Sequence, residues 1–441
     1  MRSPIGTLIF LAFAILMDTY IFQAVRTVSH SASPRTRIII YASYWTISTL
    51  ALISFMIFFY TDHTFMPKKF RTYLFAVSIG LFLSKLIIVL FLFIDDIRRA
   101  IQWITGKLFF KNTEGEEMSG AGISRSVFLS WLGLAAGGTL FGSLLYGFSN
   151  KYNYNVKRIQ LAYDNLPAAF KGLKIVHISD IHSGSFTDKQ KVAHGVEKIL
   201  AEKPDLILFT GDIVNDLPSE MDDYIDVFNK LAAPMGVYST LGNHDYGDYV
   251  YWSDRDDAHR AKEREADRHL LTPLQQQSLD KVKGVHEKLG WKLLMDEHVS
   301  LKKGDDEIAL LGVQNINGKG VQSLKNRSGR FYSYGSLAKA YTDAEKYPFK
   351  ILMSHDPSHW DGEIRPKYGD IDLTLSGHTH GMQFGVEIPG FKWSPVQYVY
   401  KQWHGLYEDG KQKLYVNPGY GFLGYPGRVG VLAEITVIEL V

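Results

Sequence analysis

The sequence predicts an α/β domain of two facing sheets preceded by an N-terminal bundle of four transmembrane helices. Three observations lead there. Four long apolar stretches lie in the first third of the 441 residues. From about Lys151 onward, short apolar runs alternate with helical patterns instead. The later runs are mostly strand-like with few helices between them, which favours two facing sheets over one doubly wound sheet.

The apolar stretches run roughly over residues 5–23, 38–60, 73–94 and 127–148. About 20 apolar residues cross a hydrocarbon core as a helix. The second and fourth contain no charged residue, which an aqueous core helix rarely achieves. The alternative for the first is a cleaved signal peptide, but cleavage there would leave three later spans in place. Two charges sit inside the spans, Asp18 and Lys85. Helices one and three run in the same direction, and both charges fall at similar depth. Ionisable residues in lipid pair with a partner, so Asp18 and Lys85 are expected to meet across the bundle. The competing picture has Asp18 near a helix end and Lys85 snorkelling. Ile101–Phe110 (IQWITGKLFF) is too short to span and reads as a helix lying in the interface.

Charge separates the two halves. Residues 1–150 hold 13 Lys/Arg and 7 Asp/Glu, so residues 151–441 hold 35 of the 48 basic and 39 of the 46 acidic residues. The membrane part is basic and suits anionic headgroups. The acidic C-terminal part is a poor match for a polyanion, so nucleic acid is not an expected partner. Orientation is nearly balanced: eight basic residues (Arg26, Arg35, Arg37, Arg98, Arg99, Lys107, Lys111, Arg125) face seven (Arg2, Lys68, Lys69, Arg71, Lys151, Lys157, Arg158). Residues 124–129 (SRSVFL) resemble a twin-arginine export signal with Ser126 where the second Arg belongs. On that feature the large domain is expected outside the cytoplasm. There is no Cys, which excludes a disulfide scaffold, a Cys-based zinc finger and a Cys nucleophile.

In the C-terminal part, Leu173–Ile178, Leu206–Thr210, Gly236–Thr240, Ile308–Val313, Phe349–Met353, Ile371–Leu375, Lys413–Val416 and Gly430–Leu440 read as strands. Asp188–Ala201 and Ser219–Ala232 show helical spacing, and the charged stretch Asp254–Arg268 reads as a solvated insertion.

Five short motifs follow apolar runs: Asp180-Ile181-His182, Gly211-Asp212, Gly242-Asn243-His244-Asp245, Ser354-His355-Asp356 and Gly377-His378-Thr379-His380. Each puts a carboxylate, carboxamide or imidazole at a strand end, where loops converge. In an extended segment, side chains at i and i+2 lie on one side, so each D-x-H or H-x-H pair is expected to approach one ion. Gly211, Gly242 and Gly377 permit tight turns and close backbone approach. Singly, each motif is weak; five in this order are specific. The set resembles the calcineurin-like metallophosphoesterase superfamily over about residues 172–441. Leu166–Leu173, the run SGHTHGMQ at 376–383 and AEITVIEL at 433–440 are similar to its membrane-associated bacterial members, among them predicted UDP-diacylglucosamine hydrolases.

That resemblance implies a four-layer αββα sandwich metallophosphoesterase domain over 151–441, behind a transmembrane region over 1–150. It implies two divalent ions, the first held by Asp180, His182, Asp212 and His380, the second by Asp212, Asn243, His355 and His378. Imidazole and carboxylate donors suit Mn, Fe or Zn. His244 would face the scissile phosphate, and Asp245 would orient His244. Two such ions with a bridging hydroxide leave the site about one positive charge, which attracts a phosphate anion and activates the shared water. His177, His194, His286, His298 and His404 lie outside the motifs and read as structural.

The implied reaction is metal-dependent hydrolysis of a phosphoester or pyrophosphate. The membrane helices favour a lipid-linked substrate such as UDP-diacylglucosamine. A soluble phosphodiester or phosphomonoester, with the helices only an anchor, is the alternative. A non-catalytic sensor or scaffold is a third reading, disfavoured because every ligand position is filled. The resemblance places the protein in a bacterial inner or plasma membrane. The insertion at 246–277 is expected to shape the substrate site; the aromatic segment Phe391, Trp393, Tyr398, Tyr400, Trp403 and Tyr407 is expected to rim the active site, to touch the bilayer interface or to pack on the sandwich edge.

Overall fold

The structure is a computed structural model that describes residues 4–60, 66–109, 125–266, 269–318 and 332–441. It divides into two units, Met1–Gly147 and Phe148–Val441.

The first unit is built from α1 (Pro4–Val28), α2 (Pro34–Tyr60), α3 (Lys68–Phe109) and most of α4 (Arg125–Asn150). All four are long and apolar enough to span a membrane. Lys85 Nζ lies 2.6 Å from Asp18 Oδ1, joining α3 to α1. Ser48 of α2 completes the cluster: its hydroxyl lies 3.1 Å from Asp18 Oδ1 and accepts from Lys85 Nζ at 3.0 Å. Tyr44 donates to the same carboxylate at 3.2 Å. The expected pair forms, and it recruits two polar side chains from α2 that hydropathy alone did not single out. On α4, Gly133 and Gly137 face α3 closely. A Cβ on Gly137 would sit 2.5 Å from Ile88 Cγ1 and 2.8 Å from the Ser84 carbonyl, the small-residue spacing that lets membrane helices approach.

The separate interfacial helix over Ile101–Phe110 is not seen. Its described part continues α3, which runs 42 residues without a break. No Pro or Gly falls between Ile94 and Ile104 to end the helix, and Asp95 pairs with Arg98 and Arg99 across its turns. Phe110, Lys111 and Ser124 of the export-like run lie outside the described residues.

The second unit holds β1 (Tyr154–Leu161), β2 (Lys174–Ile178), β3 (Leu206–Phe209), β4 (Val237–Ser239) and β5 (Lys292–Leu293). It continues with β6 (Glu297–Lys303), β7 (Asp306–Gly312), β8 (Lys350–Met353), β9 (Leu373–Ser376), β10 (Val386–Ile388) and β11 (Phe391–Trp393). It closes with β12 (Gly405–Asp409), β13 (Gln412–Val416) and β14 (Ala433–Leu440). One sheet has the order β1-β14-β2-β3-β4-β5 and the other β12-β13-β9-β8-β7-β6; β10 and β11 form a separate hairpin.

Alternation along the strands sets the layers. Ile175, Leu206 and Leu208 pack with Leu310, Ile351 and Leu373 in a core between the two sheets. Val176, Ile178, Ile207 and Phe209 face the other way, onto Val192, Val196 and Ile199 of α5 (Lys189–Ala201), Val227 and Phe228 of α6 (Ile225–Phe228) and a later helix. Two more helices follow, α7 (Asp257–Ala266) and α8 (Pro273–Lys288), and Leu279, Val282 and Val285 of α8 join that layer. On the outer face of the second sheet, Ala309, Leu311 and Leu352 meet Leu337 and Ala340 of α9 (Leu337–Tyr341) and the helical turn carrying Trp360 and Ile364. The domain is an αββα sandwich.

Two expectations need correction. Ser219–Ala232 is not one helix: it divides into a 3-10 turn at Pro218–Met221 and the four-residue α6, because Tyr224 adopts φ −122°, ψ −2°, outside the helical range. The stretch Asp254–Arg268 is not simply a solvated insertion. Its described part turns Glu263 into a buried cluster, where Glu263 accepts from Arg255 at 2.7 Å and meets His269 Nδ1 at 2.8 Å. His269 Nε2 in turn lies 3.1 Å from Asp248, which also accepts from the Tyr334 hydroxyl.

Candidate metal centre

The five motifs all emerge at the C-terminal ends of parallel strands, where ligands gather in open α/β sheets. Asp180 and His182 follow β2, Asp212 follows β3, and Asn243, His244 and Asp245 follow β4; His355 follows β8, and His378 and His380 follow β9. β2 to β4 belong to one sheet and β8 and β9 to the other, so the pocket draws on strand ends of both sheets.

The structure brings these residues together in three overlapping groups: Asp180, His182 and His380; Asp212, His355 and His378; and His182, Asp212 and His244. Asp212 Oδ2 lies 3.5 Å from His182 Nε2 and 3.1 Å from His355 Nε2, so it stands between the two sides of the pocket. His380 Nε2 is 3.3 Å from Asp180 Oδ1. On the other side, Asn243 Oδ1 lies 2.7 Å from His378 Nδ1 and 3.2 Å from His355 Nε2.

The backbone route differs from the extended segment expected from i, i+2 spacing. Asp180, His182, Asp212, His378 and His380 have φ of 53°, 46°, 61°, 71° and 52°. Left-handed backbone at non-glycine residues costs about 1–3 kcal/mol each and clusters at functional sites. Neighbouring glycines give these turns room. A Cβ on Gly377 would fall 1.9 Å from Ser179 Oγ and 2.2 Å from Asp180 Oδ2; one on Gly242 would fall 2.2 Å from Asp212 Oδ1.

Two observations test whether divalent ions fit. Among the described residues, both ring nitrogens of His182 and of His380 are buried without a hydrogen-bond partner, whereas buried polar groups normally have one. The facing donors are carboxylate, imidazole and carboxamide, a set that suits transition metals. His355 Nδ1 donates to the Thr210 carbonyl at 2.7 Å, which fixes the tautomer and leaves Nε2 for the pocket. The residues fit the group.

Electrostatics follow the geometry. Burial pushes His182 down to about 3, and it also pushes His380 down. Burial works against the His355 imidazolium too, but the Asp212 and Asp180 carboxylates beside it prevail and raise it to about 10. Burial and the nearby Asp212 charge lift Asp180 to about 6 against the pull of His355. Burial also opposes ionisation of Asp212, yet His355 and His244 hold it well below the usual carboxylate range.

The role expected for Asp245 is not the one observed. Its carboxylate does not orient the His244 ring. Oδ2 accepts from the backbone N–H of Asp212 and Gly242 at 2.8 Å each, and Oδ1 accepts from Ile213 at 2.9 Å and Val214 at 3.4 Å. It therefore fixes the two loops that carry Asp212 and Asn243. The His244 ring is held elsewhere: Nδ1 donates to the Asn215 carbonyl at 2.6 Å, and the ring stacks on Tyr249 at a centroid distance of 4.3 Å. Nε2 is the atom His244 offers to the pocket.

The sequence reading did not single out three residues: Asn215, Arg428 and Tyr249, the last within the 246–277 insertion expected to shape the site. Arg428 is fully buried and donates to the carbonyls of Pro418, Gly419 and Gly421, bracing the loop against which Asp180 and His380 pack. None has a local signal, since each acts through a fold contact. Tyr400, one of the aromatics expected to rim the site or pack on the edge, reaches His378 Nε2 with its hydroxyl at 2.8 Å. Trp403 packs in a small core with Val396 and Val431. The five other histidines read as structural are not in the pocket's metal groups.

Residues 173–382 match the family model described as calcineurin-like phosphoesterase, and residues 1–151 match one described as probable calcineurin-like phosphoesterase, transmembrane domain. A Danio rerio transmembrane protein with metallophosphoesterase domain is 26% identical over 345 residues, covering 76% of this chain and 67% of that protein. The uncharacterized metallophosphoesterase YkuE of Bacillus subtilis is 28% identical over 332 residues, covering 72% of this chain and 98% of that one. The UDP-2,3-diacylglucosamine pyrophosphatase LpxG of Chlamydia trachomatis is 27% identical over 259 residues, covering 56% of this chain and 76% of its own.

Proposed function

Because the chain belongs to the calcineurin-like metallophosphoesterases and is a phosphoric ester hydrolase, we propose that it is a membrane-anchored dinuclear enzyme acting on a lipid-linked phosphoester or pyrophosphate. Residues 1–150 serve as the anchor and 151–441 as the catalytic domain. The observation that carries this reading is the convergence of carboxylate, carboxamide and imidazole groups from five separate strand ends, with buried imidazole nitrogens left unsatisfied.

Asp180, His182, Asp212 and His380 would hold one divalent ion, and Asp212, Asn243, His355 and His378 the other, of Mn, Fe or Zn type. When bound, the ions lower the pKa of a shared water and neutralise charge on the phosphoryl oxygens. The chain's own contribution lies in His244. Its Nδ1 is tied to Asn215 and its plane is fixed by Tyr249. Nε2 is thereby aimed into the pocket, where the imidazolium form, with Nδ1–H on Asn215, donates its Nε2–H to a phosphoryl oxygen and passes that proton to the leaving oxygen, becoming neutral imidazole. Asp245 acts at one remove, holding the loops of Asp212 and Asn243.

The lipid-linked substrate is supported by four apolar helices and by similarity to a protein named for UDP-2,3-diacylglucosamine cleavage. Its test compares an acylated nucleotide–sugar pyrophosphate with its deacylated counterpart, using full-length protein in lipid nanodiscs with Mn²⁺. A higher kcat/KM for the acylated compound supports the reading; equal values make the helices only an anchor. A chromogenic bis-ester separates enzyme from scaffold: turnover that survives chelation, or is absent with Mn²⁺, removes the metal hydrolase reading. We also place the catalytic domain outside the cytoplasm, supported by the export-like run at 124–129. Since the chain has no Cys, a single Asp305→Cys, in an exposed turn, tests this in cells with an impermeant thiol reagent. Labelling only after lysis reverses the orientation.

A further inference from the structure

The β10–β11 hairpin stands exposed on both faces, one apolar and one charged. Its register pairs Val386 with Trp393, Glu387 with Lys392 and Ile388 with Phe391. Side chains alternate across a strand, so Val386, Ile388, Phe391 and Trp393 share one face and Glu387 and Lys392 the other. Pro389 and Gly390 close the turn, with Gly390 at φ 79°.

The charged side chains are exposed, and their ends reach back to the domain. Lys392 Nζ donates to the His404 carbonyl at 2.6 Å and to the Tyr407 hydroxyl at 3.2 Å, and it lies 4.5 Å from the Tyr407 ring centroid. Glu387 Oε2 is 3.6 Å from His404 Nδ1. The apolar face points to solvent: Ile388 is 58% exposed and Phe391 54%. A few residues on, Tyr398 is 77% exposed. The segment borders the metal centre at both ends. Met382, 54% exposed, follows His380 by two residues, and Tyr400 touches His378.

An ordinary surface hairpin buries its apolar side chains and exposes its charges. Here Glu387 and Lys392, themselves exposed, bond back to the domain, and the tip carries Ile388 and Phe391 out into solvent, the pattern of a surface that meets an apolar partner. The partner is a lipid surface. The chain carries its own membrane helices, aromatic and aliphatic tips favour the bilayer interface, and the tether is short. Only Lys151, Tyr152 and Asn153 separate α4 from β1, about 10 Å of chain at full extension. Lipid therefore reaches the hairpin at high effective concentration.

We propose that the β10–β11 hairpin, with Tyr398, is a membrane-docking element that dips Ile388 and Phe391 into the lipid interface beside the metal centre. This goes beyond the substrate reading and does not depend on it, since docking can be read in a protein that hydrolyses a soluble ester.

The absence of Cys makes single labels unique. Full-length protein with Ile388→Cys or Phe391→Cys carries an environment-sensitive fluorophore, with Asp305→Cys as the water-exposed control. Each is reconstituted in nanodiscs, one chain per disc, with or without doxyl-labelled lipids. The expected result is blue-shifted emission and doxyl quenching at 388 and 391 but not at 305. Adding Phe391→Asp to the Ile388→Cys protein should abolish the quenching. Emission at 388 and 391 as red-shifted and unquenched as at 305 overturns the proposal. So does a blue shift that is absent in single-chain discs and returns only in densely loaded vesicles, which would identify a second copy as the occupant.

Discussion

Asp245→Asn is the substitution that most sharply separates the observed role of this carboxylate from the one its motif suggests. Both carboxylate oxygens accept from buried backbone N–H groups, Oδ2 from Asp212 and Gly242, Oδ1 from Ile213 and Val214. Asparagine has the same shape but one acceptor. Whichever side its NH₂ occupies, two N–H donors lose their partner and face another donor. A buried donor left unsatisfied costs about 1–3 kcal/mol, so the variant should lose roughly 4 kcal/mol. At about 2 °C per kcal/mol for a large domain, the thermal midpoint should fall by about 8 °C. The affected loops carry Asp212 and Asn243, so metal affinity should fall about 10- to 100-fold, the range for groups that orient metal ligands. The assay is differential scanning of purified full-length protein together with a Mn²⁺ titration. His244→Ala is the comparison: it should keep midpoint and metal while turnover drops by about 10²–10⁴. If Asp245→Asn keeps its midpoint and Mn²⁺ affinity and loses only turnover, the carboxylate acts on His244 after all and the loop argument fails.

Removing either member of the Asp18–Lys85 pair should destabilise the helix bundle by about 3–5 kcal/mol, because a lone charge remains buried. Asp18→Ala with Lys85→Ala should cost less than the two together, measured by denaturant unfolding of reconstituted protein; strict additivity would mean no coupling. Gly377→Ala should cost about 1–3 kcal/mol by overpacking and displace Asp180, whose Oδ2 lies 2.2 Å from the added Cβ position; a variant with full metal content would show that the turn yields freely. Acid should destabilise the domain through its buried histidines. Burial lowers His286 to about 3 from its ordinary 6.5, and among the described residues neither of its ring nitrogens has a hydrogen-bond partner. The unfolded chain therefore takes up a proton between pH 6.5 and 3 that the native state refuses. Stability is fully present above 6.5 and falls as pH drops, by about 1.4 kcal/mol per pH unit. His286→Phe should flatten the fall in thermal midpoint between pH 6.5 and 4.5; an unchanged slope would place the effect elsewhere.

The metal motifs were legible because each is local: a ligand set directly after an apolar run needs no knowledge of the fold. Their path was not, because Asp180, His182, His378 and His380 reach the pocket through left-handed turns, with Gly377 packed too closely on Ser179 and Asp180 to carry a Cβ. Strands buried on both faces, such as β3 and β8, read clearly as continuous apolar runs. β1 did not, since Asn155, Lys157, Arg158 and Gln160 break its pattern and its pairing is with β14, nearly 280 positions away. The edge strand β6 was hidden by its charges for a similar reason. The Asp18–Lys85 pair followed from depth alone, whereas Ser48 and Tyr44 joined it only through the packing of α2.

Metal content per chain tests the central claim most directly. Full-length protein saturated with Mn²⁺, freed of excess ion and assayed by mass spectrometry should retain about two ions per chain, and Asp212→Ala, which removes the carboxylate standing between both sides of the pocket, should lose both. Wild-type protein that retains none, or an Asp212→Ala variant that retains both, would contradict the account.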